Sequence, residues 1–297
     1  MINFEQYLSE RKSSSAGQQT KRKVKLEELK QMIANKDSNI ADVDVSDITD
    51  MSELFKDSDF GGSWTADLSG WDTSNVTNMR GMFFHCENLT KVELSNTVNV
   101  TDMGIMFGHC TILEKVSLPH TENVNDMSNM FWGCKELTKV ELPNTEKVEN
   151  MRAMFGYCTS LEKVSLPHTE NVTNMRWMFQ DCISLEQVNL PHTEKVENMS
   201  VMFFGCTSLK EVSLPHTEKV EDMGSMFAGC TSLIKVDLPH TENVEYMSGM
   251  FWGCKELEQN FSSWNVKGKN IADMFKGCTK MEDAYKNKNN LYPEGYK

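Results

Sequence analysis

The chain has no apolar run approaching the roughly 18 residues that a membrane span requires, so the sequence gives no reason to expect insertion into a bilayer. Residues 1–10 also lack an apolar stretch of signal-peptide length. This points to a protein that stays in a reducing compartment inside a cell, or leaves without the general secretion route. There is no glycine-rich phosphate loop, no cysteine pair at zinc-ligand spacing, and no Ser, Cys or His with surroundings of its own. Catalysis is left almost without support, and neither a cofactor nor a metal is expected.

Cysteine is missing everywhere except in one series. Cys86, Cys110, Cys134, Cys158, Cys182, Cys206, Cys230, Cys254 and Cys278 each follow the last by 24 residues. A period of this size is the mark of a solenoid whose coils are each too small to bury a core alone. Nine is odd and all nine share one position, which reads as an inward column of reduced thiols packed as small apolar groups. Neighbouring coils would bring such cysteines within disulfide range, so spacing alone leaves bridging open.

Residues 161–184 show the unit: L-x-x-V-x-L, then Pro-His-Thr-Glu, then V-x-x-M-x-x-M-F, then Cys. The first motif reads as a short strand with alternating inward residues. The proline after it has no N–H to donate and ends the ladder. The second motif spaces apolar residues by three and four, the pattern of a short helix or helical turn. The Met-Phe pair recurs every 24 residues from Met82/Phe83 to Met274/Phe275, and Met51, Leu54 and Phe55 form an imperfect earlier copy. The step from Met51 to Met79 is 28 residues, so the first coil carries a four-residue insertion around Gly61-Gly62, and ten coils result. Strands stacked about 4.8 Å apart would make a rod of roughly 50 Å.

The ends differ from the middle. Residues 1–23 form an amphipathic segment with Phe4, Tyr7 and Leu8 on one side, followed by a basic flexible linker. Residues 24–48 are expected to make an N-terminal helical cap with Leu26, Leu29 and Ile33 on one face. The solenoid spans 49–280, and 281–297 is the C-terminal cap. The net charge is −13 overall; residues 1–25 contribute +4, which leaves −17 for the rest. So acidic a surface disfavours nucleic acid and favours a basic partner, or simply keeps a repeat array in solution.

Residues 67–79, D-L-S-G-W-D-T-S-N-V-T-N-M, followed by Met82-Phe83, resemble the BspA-like subclass of leucine-rich repeats, found on bacterial surface proteins and in some phage and protist proteins. Ser262-Ser263-Trp264-Asn265-Val266 repeats the motif in weaker form, and the resemblance covers roughly residues 40–285. The middle coils depart from it. There L-P-H-T-E replaces S-x-W-D-T, and the period shortens to 24. The resemblance implies an α/β repeat solenoid: a leucine-rich-repeat-like right-handed stack of about ten 24-residue coils. Parallel short strands would line one face, with short helices or helical turns on the other. Where ordinary leucine-rich repeats often place an Asn ladder, this chain has Thr97, Thr121, Thr145, Thr169, Thr193, Thr217 and Thr241. The pattern M-x-x-F-x-x-Y-L-x-E of residues 1–10 is similar to an N-terminal segment shared by several proteins of T-even-type tailed phages.

Three sets of surface residues are candidate binding positions. The first is a column of Glu122, Glu146, Glu170, Glu194, Glu218 and Glu242. Carboxylates one coil apart repel by about 1 kcal/mol per neighbour in water, and by a few times that near a protein surface. Lys147, Lys195 and Lys219 stand next in sequence and are expected to offset part of this. The second is a column of His120, His168, His192, His216 and His240, with Asn144 in the gap. The two columns suit a basic partner surface, and their negative charge should fall below about pH 6.5. The plainer reading, a solvated edge copied by repeat duplication, is the one the sequence favours. Metal binding wants converging ligands rather than a linear array, so no metal is assigned. The third set is Trp132, Trp177 and Trp252, with Phe84, Tyr157, Phe204 and Tyr246. Facing outward they would form an apolar patch for a partner; facing inward they would be packing. The strand face is mixed, small and polar, unlike a nucleic-acid stacking platform.

The function expected is a non-enzymatic scaffold for protein–protein or host-surface recognition. The alternative is a structural rod or decoration component of a phage particle or other assembly, addressed by its N-terminal segment. The partner would be a protein or cell-surface macromolecule, basic in character. The sequence leaves open its identity, the face that binds it and the oligomeric state.

Overall fold

The computed structural model describes residues 21–94, 96–287 and 289–296. The amphipathic segment expected over residues 1–10 lies outside them, as does most of the linker. Strand β1 (Arg22–Lys23) pairs in parallel with β2 (Val43–Asp44), and between them α1 (Leu26–Ala34) buries Leu29, Met32 and Ile33. Short strands then recur once per coil: β3 (Trp64–Asp67), β4 (Leu89–Glu93), β5 (Lys115–Ser117), β6 (Lys139–Glu141), β7 (Lys163–Ser165), β8 (Gln187–Asn189), β9 (Glu211–Ser213) and β10 (Lys235–Asp237). The pairs β3/β4, β5/β6, β7/β8 and β9/β10 are all parallel, with Val116 opposite Val140 and Val164 opposite Val188. Helix α2 (Thr279–Lys286) follows the last coil.

A second parallel ladder runs the length of the stack without a break. It joins Asp50, Asn78, Asp102, Asp126, Asn150, Asn174, Asn198, Asp222, Tyr246 and Asn270 through nine bridges. The segment after each of these residues is where the apolar spacing allowed a helix. The structure makes turns there instead, and among the described residues helices lie only toward the ends. In the coil of Met103, the amides of Met106, Gly108 and Cys110 bond back to the carbonyls of Met103, Ile105 and Phe107. The alternate amides of Met103, Ile105, Phe107 and His109 donate to the next coil, at 3.0, 2.7, 2.9 and 2.7 Å. An α-helix would use all of these donors within its own coil. Packed helices also need axes about 8–10 Å apart, roughly twice the spacing of stacked strands. A column of turns fits the strand spacing, and in the coil of Met103 it keeps these amides bonded.

These turns require a left-handed residue at a fixed place in each coil. That place is held by Glu53, Gly81, Ile105, Asn129, Ala153, Trp177, Val201, Ser225, Gly249 and Asp273, with φ between 51° and 61°. Apolar residues at steps of three and four still end up inside: Val100, Met103, Met106, Phe107 and Cys110 are all fully buried. The phenylalanines form a continuous spine from Phe55 to Phe275, each ring stacked on the next with centroids 5.2–5.6 Å apart. Trp71 closes the first end and bonds through Nε1 to the Ile40 carbonyl at 3.0 Å. Tyr292 and Tyr296 close the other end edge-on to Phe275, at 5.3 and 5.1 Å.

Each thiol donates to the carbonyl of the phenylalanine one coil back, as in Cys182 to Phe155 at 3.0 Å and Cys206 to Phe179 at 3.0 Å. All nine cysteines are free and buried. Burial raises every one of these pKa values, with Cys86 and Cys278 pushed up to about 12.

Candidate functional site: a histidine–glutamate edge

The Pro-His-Thr-Glu segment turns the chain off the strand, and its three polar residues divide by direction. The threonines point in: Thr121, Thr145, Thr169 and Thr193 are fully buried, and each hydroxyl donates to the backbone carbonyl of residue 144, 168, 192 or 216 in the next coil. This anchors the flanking His and Glu, which stay about two-fifths to one-half exposed.

The result is an alternating ladder. His168 Nδ1 lies 3.3 Å from Glu170 Oε1 in its own coil, while its Nε2 lies 3.8 Å from Glu146 of the coil before. His192 repeats this with Glu194 at 3.2 Å and Glu170 at 4.0 Å. His216 stands between Glu218 at 3.6 Å and Glu194 at 3.8 Å, and His240 reaches Glu218 at 3.4 Å. His120 meets Glu122 at 3.4 Å. The interruption at Asn144 is filled by its amide, which donates to Pro119 O at 2.8 Å and to Glu122 Oε1 at 3.4 Å.

Lys147 and Lys195, next to this column, do not serve it. They extend instead to Asn123 and Asn171, each at 2.6 Å. The imidazoles, not the ammonium groups, separate the carboxylates. Partial burial works to raise the pKa of Glu194. A hydrogen bond from its own backbone N–H and the rings of His192 and His216 outweigh this and hold it below the usual range. The second carboxylate oxygens of Glu122, Glu170 and Glu194 are inaccessible and have no hydrogen-bond partner. No group of three or more metal-ligating side chains converges among the described residues.

The tryptophans are not brought together. Trp132 is half-buried and packs edge-on against Tyr157 at 4.8 Å. Trp177, also half-buried, lies between two arginines, Arg152 and Arg176, each 4.3 Å from its ring. Trp252 is 49% exposed and stands five coils from Trp132. The two arginines did not stand out in the sequence, although they occupy a column held in most coils by Gly, Ser or Ala. The strand face carries a shallow depression of about 560 Å³ lined by residues of β4, β5 and β6, including Lys91, Lys115 and Lys139. No helix among the described residues is long and apolar enough to cross a membrane.

Fold and edge together define an elongated repeat solenoid with parallel strands, a buried spine of identical residues and surface columns that vary from coil to coil. The chain belongs to the family described as Mycoplasma protein of unknown function, DUF285, whose model matches residues 24–140, 107–212, 134–236 and 185–289. No curated protein matches it. Among solved structures it is similar to a leucine-rich repeat protein of T. pallidum, at 24% identity over 67% of this chain and 80% of that one, with a TM-score of 0.42. A leucine-rich repeat protein of Eubacterium ventriosum is 19% identical over 72% of this chain and 58% of its own length, with a TM-score of 0.47. Nothing about ligand or partner follows from likenesses of this degree.

Proposed function

We propose that the chain is a non-enzymatic scaffold that recognises a basic segment of a partner protein or cell-surface macromolecule along its Glu–His edge. The observation that carries this reading is the ladder from Glu146 to His240. Its carboxylates recur every coil, and only histidine rings separate them. Like charges at this spacing repel, and the nearby lysines are turned away to Asn123 and Asn171. A linear basic partner would relieve the repulsion along the whole edge at once. Such a partner also gains in association rate from the field of an acidic surface.

No described residue speaks for the other role, a rod or particle decoration addressed by residues 1–10. The test is titration with a short oligolysine peptide, comparing the native chain with one in which Glu146, Glu170, Glu194 and Glu218 are replaced by Gln. The native chain should bind and the variant should lose at least about tenfold in affinity. Equal affinity would remove the edge as the site.

A further inference from the structure

A second surface lies on the turn face, and the repeat supplies its own control for it. The column before the left-handed turn residue holds small residues in most coils but Arg80, Arg152 and Arg176 in three. Arg80 is neutralised by the coils that follow, with Asp102 at 3.5 Å and Asp126 at 3.9 Å. Three coils further on, the same two ladder positions relative to Arg152 hold neutral Asn174 and Asn198, and relative to Arg176 they hold Asn198 and Asp222. Neither Arg152 nor Arg176 has an ion pair among the described residues. Both guanidiniums lie against the single ring of Trp177 instead.

The backbone beneath them is unfavourable for the residues it carries. Trp177 has φ 61°, a region poorly suited to a bulky side chain. Tyr157 has φ 60°, at a position where Gly133, Gly205, Gly229, Gly253 and Gly277 serve other coils. Trp132 lies across Gly156, where a Cβ would come within 2.4 Å of the ring. The carboxylate that acts on Tyr157 is that of Asp181, which accepts from Gln180 at 3.3 Å. The largest side chain at any of these left-handed turn positions thus stands between two arginines that have no ion pair.

We propose that Arg152, Trp177 and Arg176 form a docking site for a carboxylate-bearing acidic segment of a partner protein. A guanidinium offers a planar fork matched to a carboxylate, and an aromatic ring beneath it holds the fork in place. Two such forks on adjacent coils accept side chains of successive acidic residues. The net charge of −13 does not forbid this, because charges further away than about 8 Å are largely screened at physiological salt. A nucleic-acid strand would need a basic groove that follows its backbone, and two arginines do not make one.

The experiment titrates the full chain with a short oligoglutamate peptide at low salt, reading tryptophan fluorescence and heat of binding. Two double variants are compared: Arg152→Gln with Arg176→Gln, and Asn174→Asp with Asn198→Asp. The second keeps both arginines and supplies the internal carboxylates that Arg80 already has. Saturable binding is expected, weakened at least about tenfold in each double variant. The Gln variant of the Glu–His edge should bind oligoglutamate normally, which separates this site from the one proposed above. The proposal is overturned if oligoglutamate does not bind saturably, if oligoglutamine binds equally well, or if neither double variant weakens binding. A phosphopeptide that binds at least about tenfold tighter than oligoglutamate would overturn the carboxylate assignment.

Discussion

The hydroxyl of Thr169 donates to the backbone carbonyl of His192, one coil further along. The same bond joins Thr145 to His168 and Thr193 to His216, so a buried threonine ladder holds the outward His and Glu in register. Thr169→Val keeps the shape and removes the donor. It should cost about 1 kcal/mol, read as a lower urea midpoint with an unchanged slope. An unchanged midpoint would mean that the hydroxyl contributes nothing to stacking.

Val201 occupies the left-handed turn position with φ 60°. A β-branched residue is poorly tolerated there, while glycine adopts the conformation freely, as at Gly81 and Gly249. Val201→Gly should therefore stabilise the chain by about 1 kcal/mol, even though it removes a side chain and loosens the unfolded state. Thermal unfolding of the two proteins decides it. A lower melting temperature would show that the packing of Val201 outweighs its strain.

Much of this architecture was legible in the sequence, because a residue copied every 24 positions can hardly face anywhere but one direction. The inward columns of Met, Phe and Cys, the strand at L-x-x-V-x-L and the turn insertion at Gly61-Gly62 follow from pattern alone. Steps of three and four did not distinguish a helix from a chain of turns, since both bury Met103, Met106 and Phe107. What separates them is the destination of each N–H, which the side chains do not encode. The Glu and His columns were visible as lists of residues, but not as an interleaved ladder. Lys147 looked like a partner for Glu146 because it is adjacent in sequence, yet it reaches back one coil to Asn123. Arg152 and Arg176 were missed because their meaning lies in a comparison between coils: Asp beside Arg80, Asn beside Arg152.

The thiol column sets a limit at alkaline pH. Unfolded cysteines ionise near pH 8.5, whereas burial pushes Cys86 and Cys278 up to about 12 and raises the other seven as well. The raised folded values mean that these thiols contribute their full stability below the unfolded pKa. Above it the unfolded chain releases protons that the folded chain keeps, so stability falls as pH rises toward 12. With nine thiols the fall should be steep. Urea midpoints should hold up to about pH 8 and drop sharply beyond about pH 9. Iodoacetamide should leave the native thiols unmodified at neutral pH and label all nine once the chain is unfolded. Rapid labelling of the native protein, or a midpoint level to pH 11, would contradict the buried column.

The turn ladder has one irregular rung. Asp222 accepts from the Gly224 amide at 2.8 Å, Asn198 from Ser200 at 2.9 Å and Asn174 from Arg176 at 3.0 Å, each closing a short turn with its side chain. At the corresponding place stands Tyr246, 52% exposed and without an acceptor that can reach the Ser248 amide. An Asn or Asp at such a place bonds the backbone two residues on, which is why these residues favour turns. Tyr246→Asn should restore the missing bond and raise stability by about 0.5–1.5 kcal/mol, because a ring this exposed surrenders little packing. Hydrogen exchange at the Ser248 amide should slow along with it. A stabilised protein with unchanged Ser248 exchange would place the gain elsewhere. A destabilised one would show that Tyr246 rests on its neighbours more firmly than its exposure implies, giving that ring a structural part in the rung.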